Sequence, residues 1–94
     1  MRFAYIIMGD FGSGTKRAKI ANGKAVMIGV SDIAEAVICA RELADSGIGC
    51  IELCGAFGES GAKAIIEATE NKIPVGYVTH LPEQNDIYAS VFGE

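Results

Sequence analysis

The chain has no tryptophan, one histidine, two prolines and three cysteines in 94 residues. Cysteines at 39, 50 and 54 make no even disulfide framework, and their spacings lack the Cys-x-x-Cys of a redox pair or zinc knuckle. No stretch approaches the ~18 apolar residues of a membrane span. The Phe3–Met8 run is too short for a signal peptide, and Asp10 follows at once. These absences point to a cytoplasmic protein with reduced thiols and no membrane partner. Eight basic side chains against twelve acidic ones give a net charge of −4, which argues against a nucleic-acid binder. The length suits one small domain, residues 1–94.

What is present centres on Gly47–Gly61, a short apolar run carrying Glu52 and then a glycine-punctuated loop with Ser60 placed to cap the next helix. A strand entering a Gly-rich turn and a helix start brings backbone N–H groups and the helix dipole to one place. Phe3–Met8 reads as a buried strand. Gly9 and Gly14 have the spacing of a phosphate-binding loop, but Thr15-Lys16 reverses the required order and Asn22-Gly23 arrives before a helix could form. The likeness is a decoy, and no cofactor is implied. Asn22-Gly23 predicts a two-residue hairpin turn, with its second arm entering the core as Val26–Val30.

Asp32 and Glu35 have capping-box spacing and open a first helix, ended by Gly47. Its apolar band is read as Ile33, Ala34, Val37, Ile38, Ala40 and Ala44, with Cys39 a packed thiol. A strand over Ile48–Leu53, a helix over Gly61–Glu70 and a strand over Val75–Thr79 follow. Residues 86–92 fit a helical turn or a short strand equally. The fold expected is α/β, a small, mostly parallel sheet with two βαβ units plus an N-terminal strand and a short β-hairpin. Two crossovers running the same way put both helices on one face. The strands are nonetheless apolar on both faces, so a homodimer or higher homo-oligomer is expected.

Functional groups in such sheets collect beyond the strands' carboxyl ends. Glu52, Cys54 and His80 are the candidate catalytic residues there. A carboxylate in so apolar a strand is costly without a partner. If Glu52 lies beside the glycine loop, its charge is met by N–H groups of residues 55–61, by Lys16 or Arg17, or by protonation. Gly55, Phe57, Gly58, Ser60, Gly61, Arg17 and Asp10 are the candidate ligand-binding residues. Lys16, Arg17, Lys19 and Lys24 form an acid-free basic stretch able to meet an anion. Glu52, Cys54 and His80 are acceptable metal-ligand types, but no metal-binding spacing supports them. The reading is a binder of a small anionic metabolite at Glu52–Gly61. The alternatives are a lyase or isomerase with Glu52 or His80 as general base, and a ligand-free oligomeric scaffold.

The run Gly47-Ile-Gly-Cys-Ile-Glu-Leu-Cys-Gly-Ala-Phe-Gly58 resembles a small family of uncharacterised prokaryotic proteins, a domain of unknown function. Arg17-Ala18-Lys19-Ile20, Gly29-Val30, Ile66-Glu67-Ala68 and Pro74–Val78 match the same pattern. In that pattern a His often precedes the Arg-Ala pair, where this chain has Lys16. The resemblance covers most of the chain and implies no activity.

Overall fold

Strand β1 (Phe3–Met8) lies at the centre of a five-stranded sheet ordered β2-β3-β1-β4-β5, where β2 is Lys16–Ile20, β3 Ala25–Val30, β4 Cys50–Leu53 and β5 Val75–Tyr77. The structure is a computed structural model describing residues 1–93. Neighbours among β3, β1, β4 and β5 are parallel, and only β2 runs antiparallel. The expected mostly parallel α/β sheet is thus the one observed.

Helix α1 (Ile33–Asp45) carries the chain from β3 over β1 to β4, and α2 (Gly58–Ala68) carries it on to β5. Both crossovers move the same way across the sheet, so right-handedness puts both helices on one face, where they pack against each other. The core lies between. Ala4, Ile6, Ile28, Val30, Ile51 and Leu53 point from the sheet into it, meeting Ala36, Cys39, Ala40 and Leu43 of α1 and Ile65 of α2.

Several local expectations need correction. The hairpin connection is Ala21–Lys24, four residues rather than two. Ala21, Asn22 and Gly23 all take positive φ, so the reversal starts one residue early. The band on α1 is rotated from the one expected, since Ala36, Cys39, Ala40 and Leu43 are buried while Ile38 is 57% exposed. Small Ala36 and Ala40 let α1 sit close to the sheet, and apolarity alone did not reveal that phase. Helix α2 begins at Gly58, three residues ahead of Gly61, so Ser60 lies within its first turn and caps nothing. Strand β4 starts at Cys50 and β5 ends at Tyr77. The tail resolves as α3 (Asn85–Phe92), a helix with no buried residue.

Asp32 does cap α1, its Oδ1 accepting from the Glu35 N–H at 2.8 Å while Glu35 Oε1 accepts from the Ser31 N–H at 2.7 Å. Gly47, at φ +82°, ends the helix as expected.

The rotated band is testable by chemical denaturation. Leu43→Ala should cost about 2–5 kcal/mol, because Leu43 of α1 is buried. Ile38→Ala should change stability by no more than about 0.5 kcal/mol. Equal losses at the two positions would contradict the packing.

Candidate functional site: the sheet rim and the open sheet face

Parallel strands deliver their carboxyl ends to one rim, and most side chains there already have partners. Ser31 Oγ donates to the Gly12 carbonyl at 2.6 Å, tying the first loop to the start of α1. The Cys54 N–H donates to the Ile6 carbonyl at 3.0 Å, and Cys54 Sγ accepts from the Met8 N–H at 3.3 Å. Cys54 therefore closes the gap between β1 and β4. Phe57 is buried in the core, and Gly61 is held against it, since a Cβ at Gly61 would stand 3.0 Å from Phe57 Cβ. Both serve packing.

Gly55 opens a single 3₁₀ turn, and Gly58 takes φ +62° to turn it into α2. No side chain caps the amino end of α2, in contrast to α1. Ser60 and Asp10 are exposed nearby in sequence and at the rim respectively. Arg17 lies on β2 instead, 3.8 Å from Glu42 with both side chains in water. Lys16 Nζ donates to the Ser13 carbonyl at 2.8 Å. His80 belongs to the α3 end, with Nε2 2.8 Å from Asn85 Oδ1 and its ring stacked on Tyr88 at 3.8 Å.

Glu52 does not face the glycine loop. Along β4, Ile51 and Leu53 point into the core, so Cys50 and Glu52 point to the opposite, helix-free face. Glu52 aligns with Tyr5 on one side and Gly76 on the other, and Tyr5 aligns in turn with Met27 and then Ala18. One row of side chains thus crosses the bare face from edge to edge. The Glu52 carboxylate leans over Gly76, where a Cβ would come within 2.6 Å of Oε1. Its partner is neither a loop N–H nor a cation but the Cys50 thiol, which donates to Oε2 at 3.5 Å. Partial burial pushes the Cys50 thiol up, and the adjacent Glu52 carboxylate adds to that through the hydrogen bond and its charge. Burial also raises the Cys39 thiol, with Arg17 acting the other way.

The hydrogen bonds of Glu52, Cys54 and His80 thus run to Cys50, Met8 and Asn85, three separate places. Sequence reasoning missed Tyr5, Cys50 and Gly76 as members of the Glu52 row. The alternation of Cys50 and Glu52 with Ile51 and Leu53 was the available signal. Among the described residues, no group of three or more His, Cys, Asp or Glu could hold a metal ion. No helix among them is long and apolar enough to cross a membrane.

A mostly parallel sheet with both crossover helices on one face and a carboxylate–thiol pair on the other defines a one-sided α/β protein. The model of the family described as "Family of unknown function (DUF6506)" matches residues 1–93, and the chain belongs to that family. No curated protein and no solved structure matches it.

The Cys50–Glu52 contact makes a signed prediction. A thiol raised in the folded state stays protonated while the unfolded chain ionises, so its stabilising effect is complete below the ordinary thiol range and is lost as pH rises through it. In a chain retaining only Cys50, Glu52→Gln should lower the folded thiol's titration midpoint, read by thiolate absorbance, and make the alkaline loss of stability smaller, because the gap between the folded and unfolded midpoints narrows. An unchanged midpoint would show that Glu52 does not act on Cys50.

Proposed function

We propose that the protein works as a homo-oligomeric α/β module in which the open face of the sheet is closed by a second copy. One observation carries this reading. Phe3 and Met27 are 40% and 41% exposed, beside half-buried Tyr5 and Ile7, on a face that neither crossover helix reaches. Parallel strands are ordinarily covered on both sides, and each Å² of apolar surface left in water forfeits about 25 cal/mol. Single exposed apolar residues need no explanation, but a continuous row of them does. Closing the face would also enclose Glu52 and Cys50, the polar pair in that row.

A specific observation favours a second reading, a small anionic metabolite held at the Gly55–Gly61 end of the sheet. The first turn of α2 offers backbone N–H donors without a side-chain cap, and Gly55 and Gly58 keep the approach free of side chains. The two readings are compatible. Glu52 enters the second only as a neighbour on the same strand, because its carboxylate lies on the open face. The lyase or isomerase reading, with Glu52 or His80 as base and Cys54 nearby, draws less support, since the three side chains bond to different elements.

Two measurements test these readings. Light scattering at micromolar concentration should give at least twice the chain mass, and Met27→Asp should reduce it to one chain with little loss of fold stability. A monomeric wild type would overturn the oligomeric reading. Inorganic phosphate and simple dicarboxylates, screened at millimolar concentration, should raise the thermal midpoint if the rim holds an anion, because a ligand at 100 times its Kd adds about 2.7 kcal/mol. No shift with any of them would remove the anion reading.

A further inference from the structure

We infer that α3 of one copy docks on the β2–β3–β1 side of the open sheet face of a second copy, and reciprocally. The inference rests on the self-association proposed above and names the element that does the covering. Among the described residues, the bare sheet face and α3 are apolar surfaces without a partner. Helix α3 buries no residue, and the main element it packs on is the short 3₁₀ turn (Pro82–Gln84) that precedes it. Ile87 and Val91 are 56% and 69% exposed, one helical turn apart, with Tyr88 and Phe92 beside them on the same face. The stacking of His80, Tyr88 and Phe92 holds that face in order without covering it.

The receiving surface has a matching shape. A hollow of about 220 Å³ lies on the open face between Ile7, Phe11, Ala18, Met27 and Gly29, with Lys16 at its rim, while the Arg17 guanidinium turns to the α1 side beside Glu42. Gly29 contributes by lacking a side chain, and the Phe11 ring lies against it, 3.0 Å from where a Cβ would stand. Eight helical residues span about 12 Å, and two strand spacings span about 10 Å, so α3 is long enough to cross from β2 to β1.

Charge decides the arrangement. From Phe11 to Ser31 the chain has four basic residues and no acidic one, and on β2 Lys16 is the one turned to the open face, since Arg17 and Lys19 align with core-facing Ile28 and Val26. From Ile73 to Gly93 it has Glu83 and Asp86 and no Lys or Arg, and this stretch begins with the edge strand β5 and runs on into α3. Glu83 and Asp86 have no ion-pair partner among the described residues. A twofold axis parallel to the strands lays the β2 edge of each copy over the β5 edge and α3 of the other, so basic meets acidic twice. An axis across the strands would lay the basic edge on itself. The parallel axis also keeps the two carboxyl ends level. Lys16 pairs with Gly29 near the carboxyl end of β3, the same end from which the chain leaves β5 toward α3.

Sedimentation equilibrium on the full chain tests the inference alongside a chain ending at Leu81 and charge-reversed variants. Removing residues 82–94 deletes no buried side chain among the described residues, so circular dichroism should show the α/β body intact. The wild type should be a dimer, and the shortened chain and Ile87→Glu/Val91→Glu should be monomers. Lys16→Glu should weaken the dimer at least tenfold. Adding Glu83→Lys/Asp86→Lys to that same chain should recover most of the loss. A shortened chain that stays dimeric would overturn the α3 inference and leave the oligomeric reading standing. A monomeric wild type at ~100 µM would overturn both, whether α3 is free or folded over its own sheet.

Discussion

The structure depends on the direction of two connections. From β3 through α1 to β4, and from β4 through α2 to β5, the chain moves the same way across the sheet. A right-handed crossover then leaves both helices one possible face. The buried core follows, with Ile6, Ile28, Ile51 and Leu53 turned toward the helices. So does the bare face, because the period-2 alternation that sends Ile51 and Leu53 inward sends Cys50 and Glu52 outward. The position of Glu52 is therefore a consequence of topology, and its partner is the residue two places back on the same strand.

The elements that could be read in the sequence were those whose signals are local. Asp32 with Glu35 marked the start of α1, and Gly47 its end, because capping chemistry and positive φ are properties of a few adjacent residues. The parallel sheet followed from the order of elements. The phase of α1 was not legible in the same way. Ile38 is as apolar as Ile33, and only the close fit of Ala36 and Ala40 to the sheet decides which side turns inward. The start of α2 was missed because Gly58 and Gly61 read as loop residues, whereas Gly58 begins the helix and Gly61 makes room for Phe57.

The candidate residues divide along the same line. Cys54 and Gly55 stand at the strand-end rim as their sequence positions implied, and Asp10 follows the end of β1. Glu52 is one residue too early for that rim, and its side chain turns to the open face. His80 sits past the end of β5, but its stacking on Tyr88 ties it to a helix that the tail's composition did not declare. Long-range register and tertiary stacking separate these residues, and neither leaves a mark within a short window of sequence. The basic stretch at Lys16–Lys24 was legible as a charge feature. Its counterpart, a chain end without Lys or Arg, gains meaning only once the sheet order places the two at opposite edges.

A second copy over the sheet would take its open face out of water. The Met27 methyl group reports on it most directly, with Ile38 on the outer side of α1 as an internal reference. Within one chain the two side chains are comparably accessible, at 41% and 57%. In methyl NMR with a soluble paramagnetic agent, Met27 should be protected while Ile38 is strongly broadened, and dilution should remove the protection. Broadening of Met27 equal to that of Ile38 at high protein concentration would contradict the oligomeric reading.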